Sequence, residues 1–240
     1  MKKPNILIAA LAVLVLVAFA GPAFAQQAAA DTGGNTSLGK IIIGGGLVGW
    51  VIILLSIISL ALAIEHFVTV RRDKIVAPEL IDEIEALFEE EEYQEALELC
   101  ESEPNYLTNI LSAGLPKINA GFEAMEKAMD EVSEEESIKL HQKIGWLSLI
   151  GNIAPMLGLF GTVLGMIGAF NEITRLGASV TPQDLSKGIS TALITTLFGL
   201  FVAMPSLFFF FLFRNKVVKV SLEINAIADD LVERFRPHAS

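Results

Sequence analysis

Hydroxyls are the side chains best placed to do chemistry in this chain. Thr162 lies inside one long apolar stretch, and Ser190, Thr191, Thr195 and Thr196 lie in a second. At 3.6 residues per turn, Thr191 and Thr195 are one turn apart and Thr195 aligns with Gly199. Thr196 shares an overlapping face with Ala192, Gly199 and Ala203. Two readings are open. A serine or threonine in a helix commonly bonds the carbonyl three or four residues back. Four hydroxyls close together, opposite a helix with its own small-residue face, also suit the lining of a pore.

The elements that must position these groups are long. Residues 144–170 run for 27 positions without a charge. At 1.5 Å per residue that is ~40 Å, enough to cross the ~30 Å core of a bilayer. Its small residues, among them Gly158, Gly161 and Gly165, recur every three or four positions, as close helix packing in lipid requires. Residues 189–213 form a second charge-free run, containing Gly199, and residues 41–64 another. Pro155 and Pro205 each remove a backbone hydrogen bond within a span, making either a static kink or a site of bending.

Ahead of these, residues 1–25 have the pattern of a secretory signal: Lys2 and Lys3, an apolar run, and Ala23-Phe24-Ala25. An uncleaved first span is the competing reading. Residues 26–40 form a polar segment expected outside the cytoplasm. Arg71, Arg72 and Lys74 follow the first span and Arg214, Lys216 and Lys219 the last, marking those ends as cytoplasmic. Residues 171–188 then make a short external loop in which Thr181 or Ser186 caps the next helix. The expected fold is therefore an all-α integral membrane protein. Three long transmembrane helices extend into a cytoplasmic helical lobe, with the N-terminus periplasmic and the C-terminus cytoplasmic.

Residues 65–143 are expected to form that lobe, and residues 214–240 a C-terminal cytoplasmic helix. Residues 75–143 carry 19 Asp/Glu against 4 Lys/Arg. Leu80, Ile84, Leu87 and Phe88, then Ala96, Leu97 and Cys100, recur with helical period. Pro104, Gly114 and Pro116 divide the region into short helices. Phe122, Met125, Met129 and Val132 make one stripe of a helix that runs unbroken into residues 144–170. Beyond residue 217 the expected apolar stripe is Val218, Leu222, Ile227, Leu231 and Phe235. His66, His141 and Trp146, near span ends, are expected as interfacial anchors.

Several function classes find no support. With one cysteine and three scattered histidines, no metal-ligand cluster or disulfide framework is visible. No catalytic constellation, cofactor fingerprint or basic nucleic-acid face is present. No ionisable residue lies within the three mature spans, so any ion-handling acid must come from another subunit.

APMLGLFGTVLGMIGAF (154–170) and GISTALITTLFGLFVAMPS (188–206) closely resemble the two signature helices of the MotA/TolQ/ExbB proton channel family. The similarity covers roughly residues 40–236, and the ExbB type is the nearest. The resemblance implies a homo-pentamer in the inner membrane around a dimer of an ExbD-like subunit, whose single span supplies a protonatable Asp. It further implies that proton passage turns one ring against the other to drive a TonB-like partner. On this resemblance the two pore threonines fall on Thr162 and Thr196, and the two membrane prolines on Pro155 and Pro205. One departure stands out: some members carry a Glu where this chain has Thr191. A TolQ-like role in envelope integrity, a motor stator or a non-transporting scaffold are the alternatives, and only the scaffold would tolerate valine at Thr162 and Thr196.

Overall fold

The computed structural model describes residues 46–70, 75 and 78–236. The signal-like residues 1–25, the polar segment 26–40, the start of the first span and the basic Arg71, Arg72 and Lys74 lie outside the described residues. Six α-helices are present among those described: α1 (Gly46–Thr69), α2 (Pro78–Glu89), α3 (Tyr93–Ser102), α4 (Tyr106–Gly114), α5 (Phe122–Leu176) and α6 (Pro182–Val232). Short 3₁₀ turns follow α4, α5 and α6. Three helices, α1, α5 and α6, are long and apolar enough to cross a membrane. Two compact units partition the chain, and α1, α5 and α6 each contribute a segment to both.

One unit comprises Leu60–Leu149 and the described residues from Phe208. Its core gathers Leu80, Ile84 and Phe88 of α2, Cys100 of α3, Leu107, Ile110 and Leu111 of α4, and Met125 and Met129 of α5. Each such side chain, fully buried, contributes about 1.5–3 kcal/mol. The helices are short because their ends are written locally. Helix α3 stops ahead of Pro104, and Asn105 caps α4 by accepting from the Thr108 amide at 3.0 Å, while Thr108 Oγ1 accepts from the Asn105 amide at 2.7 Å. Gly121, at φ 101, turns the chain into α5 in a conformation other residues resist.

Two expectations are corrected here. The buried seam of α6 is Val217, Val220, Ile224, Ala228 and Leu231, whereas Val218 and Leu222 are 41% and 66% exposed. The reason is spacing. Steps of three and four keep side chains on one face, but the step of five from Leu222 to Ile227 rotates off it. His66 is also no outward anchor. It is buried, its Nε2 lies 2.9 Å from the Lys143 carbonyl, and its ring meets Phe213 edge-on at 5.6 Å. Trp146, by contrast, is exposed. The phenylalanine run divides: Phe208 and Phe211 face outward, while Phe209 is buried and packs on Phe67.

The other unit comprises the described residues up to Ser59 and Ile150–Leu207. Here α5 and α6 run antiparallel, joined by the turn at Gly177–Ser179. Thr181, immediately before Pro182, closes the start of α6. Its amide donates to Asp184 Oδ2 at 3.0 Å and its hydroxyl to the same oxygen at 2.6 Å. These bonds, with help from Arg175, hold the Asp184 carboxyl below its ordinary value.

Candidate functional site

The α5–α6 seam is built almost without side chains. A Cβ placed on Gly158 would meet the Thr195 carbonyl and the Thr196 Cα, each at 3.0 Å. On Gly199 it would meet the Ala154 carbonyl at 2.5 Å, and on Gly165 the Gly188 carbonyl at 2.7 Å. Partners descend one helix as they climb the other: Gly151 with Leu207, Ala154 and Gly158 with Gly199, Gly165 with Ala192 and Gly188. Backbone lies against backbone over this length, because the small residues repeat on one face of each helix.

Into this seam the structure turns two of the threonines. Thr195 is 1% exposed, and its side chain fills the space that a Cβ on Gly161 would take. Its hydroxyl donates to the Ala192 carbonyl at 2.9 Å and lies 3.4 Å from the Gly158 carbonyl. Thr196, half-buried, places its hydroxyl 3.3 Å from that same Gly158 carbonyl and 3.4 Å from that of Ala192. Thr162, one turn along α5 from Gly158, is half-buried and donates to the Leu159 carbonyl at 2.6 Å. In all three the proton is given to a carbonyl, as the local-bonding reading has it. Each oxygen retains acceptor capacity for water or an incoming proton donor. The Gly158 carbonyl is thus the point on α5 that both α6 threonines approach.

Pro155 and Pro205 are half-buried inside helices that continue past them. Beside Pro205 sits a pair that sequence reasoning missed. Ser59 Oγ and Ser206 Oγ are 2.7 Å apart and buried, and Ser206 Oγ also donates to the Val202 carbonyl at 2.7 Å. Either hydroxyl can act as the donor of the pair. Two serines in apolar runs 147 positions apart were the available signal.

A groove of about 340 Å³ runs beside the seam, next to Leu47 and Val48 of α1. Thr191 and Thr195 line its inner part; Glu172 and Asp184 stand at the loop. Among the described residues no cluster of three or more metal-ligating side chains occurs.

The family profile described as the MotA/TolQ/ExbB proton channel family matches residues 102–226, more than half of the chain. A biopolymer transport protein ExbB homologue of Methanothermobacter thermautotrophicus is 31% identical over 161 residues, 67% of this chain and 57% of the relative. The biopolymer transport protein ExbB of Xanthomonas campestris is 32% identical over 124 residues, 52% of this chain and 49% of the relative. The Tol-Pal system protein TolQ of Haemophilus influenzae is 34% identical over 104 residues, 43% of this chain and 42% of the relative. In each case the chain spans less than two-thirds of the relative's length. In fold, the chain is similar to one in the structure of C. jejuni MotAB, with a TM-score of 0.55 at 18% identity, covering 95% of this chain and 94% of that one.

Proposed function

Because the chain belongs to the MotA/TolQ/ExbB proton channel family, we propose that it is the ring-forming subunit of an ExbB-like proton-driven motor in the inner membrane. A homo-pentamer surrounds an ExbD-like single-span subunit, and proton passage through the assembly does mechanical work on a TonB-like protein. The N-terminus is periplasmic and the C-terminus cytoplasmic. Thr162 and Thr196, assisted by Thr191 and Thr195, line the path; Pro155, Pro205 and the seam glycines shape it.

The observation that carries this reading is the hydroxyl-bearing seam centred on Gly158, in the runs 144–170 and 189–213, which hold no ionisable side chain of their own. Hydroxyls relay a proton but do not store one, so the titrating carboxylate belongs to the partner's span. A TolQ-like role rests on the same geometry and is favoured by the TolQ relatives. The two differ in the protein that receives the work.

Co-expression with a single-span subunit bearing a membrane Asp, followed by native mass spectrometry, is the direct test. A five-to-two complex is expected. In proteoliposomes Thr196→Val and Thr162→Val should each lower proton flux at least tenfold while the complex keeps its mass. A ring that never takes up the acidic subunit, or full flux in both variants, overturns the proposal.

A further inference from the structure

The groove beside the seam is lined by two facing stripes. On α6 its lining residues are Asp184, Gly188, Thr191 and Thr195; on α5 they include Gly161, Gly165, Gly168 and Glu172. Both sets are spaced by three and four, so each is one helix face. From Asp184 to Thr195 the helix rises ~16 Å, about half the ~30 Å hydrocarbon core. The groove's 340 Å³ has room for on the order of ten waters at ~30 Å³ each. A Cβ on Gly168 would meet nothing within 4 Å, so the space there is not filled by neighbouring side chains.

Charge is distributed unevenly along it. The loop end holds two carboxylates from different helices, and the remaining lining carries no charge: the hydroxyls of Thr191 and Thr195 among glycines and the apolar Leu47, Val48 and Leu164. Arg175, 69% exposed, is the cation recorded beside them, 2.8 Å from Glu172 Oε2. Asp184 is held ionised by its two bonds from Thr181. Arg175 offsets Glu172, so Asp184 leaves the mouth net negative, and low-dielectric walls around it focus that field and concentrate counter-ions there.

We infer that this groove is the outer half of the ion path: a water-filled vestibule in which Glu172 and Asp184 concentrate hydronium and deliver it to the level of Thr191 and Thr195. The inference deepens the proposed function and rests on it. The carboxylates act through their field, as positioning residues, and no proton has to be stored on either. The vestibule also supplies negative charge on the approach to Thr191, a position that itself carries none.

Thiol accessibility tests this in the full-length chain in membrane vesicles, without the partner subunit. Gly168→Cys reports the middle of the groove and Thr191→Cys its depth. Cys100 is buried with its thiol pushed up to about 11, so it stays silent. Rates are measured with a trimethylammonium and a sulfonate methanethiosulfonate, each normalised to free cysteine and applied from each side of the membrane in turn. Both positions should react from the loop side, the cationic reagent about tenfold faster than the anionic one. Glu172→Gln with Asp184→Asn should bring that preference close to unity, each single variant giving part of the loss. A silent Thr191→Cys from both sides overturns the vestibule. Equal charge preference with and without the carboxylates overturns their role. Proton flux of the complex is measured separately. Absent flux with charge-selective labelling faults the proposed function, whereas flux unchanged in the double variant faults the vestibule alone.

Discussion

Replacing Gly199 by alanine adds one methyl group where the α5–α6 seam brings backbone closest. That methyl would sit 2.5 Å from the Ala154 carbonyl oxygen and 3.2 Å from the Gly158 Cα. Ordinary van der Waals contact begins at 3.4 Å, so the helices must part by about 0.9 Å, and both obstacles are backbone, which no rotamer change can clear. A gap of ~0.5–1 Å forfeits a quarter to a half of each dispersion contact along the seam. Overpacking of this kind costs about 1–3 kcal/mol. Alanine also gains up to ~1 kcal/mol of helix propensity over glycine, which would mask part of the loss. Gly145→Ala removes that ambiguity, because Gly145 is also helical but its added Cβ meets nothing within 4 Å. The propensity gain is common to both variants and cancels in their difference. Thermal unfolding of the detergent-solubilised protein, followed by near-ultraviolet circular dichroism, should therefore place Gly199→Ala about 1–3 kcal/mol below Gly145→Ala. Equal stability of the two variants would refute backbone contact at this seam.

Three further outcomes follow from local geometry. In a double-mutant cycle, Ser59→Ala and Ser206→Ala should couple by about 0.6 kcal/mol, the usual size of a buried hydrogen bond between membrane helices; strictly additive losses would show that the pair is not bonded. Asp229 is pushed above its ordinary value by partial desolvation first and Asp130 next. Its ionisation therefore opposes folding at neutral pH, and that cost fades as the pH falls toward and below the unfolded value of about 3.9. Asp229→Asn should raise the melting temperature at pH 7 and leave it unchanged near pH 3, and a pH-independent shift would contradict this. Cys100 should resist a water-soluble disulfide reagent at pH 8 in the folded protein and react on unfolding, since burial pushes its thiol up to about 11.

Much of this architecture is local and was legible in the chain. Charge-free runs of 24 or more residues announce membrane-crossing helices, because length against bilayer thickness needs no partner to be judged. Pro104, Gly114 and Pro116 mark where the acidic lobe breaks into short helices, and Met125 and Met129 show its inward face. The motifs around Thr162 and Thr196 identify the family on their own.

Tertiary structure decided which of several permissible faces is used. Val217 and Val218 are equally apolar, yet only the first belongs to the seam, since the choice depends on the helices packed against it. His66 became a buried donor because a carbonyl from Lys143 came within 2.9 Å of its Nε2. Ser59 found Ser206 across 147 positions, and Glu172 and Asp184 came to line one groove with Thr191 and Thr195 through the packing of α5 on α6. Helical period ranks the faces of one helix, but it carries no term for the neighbour that covers each face. That information exists only once the helices are packed, and here it determines which hydroxyls are enclosed and which carboxylates stand at the mouth.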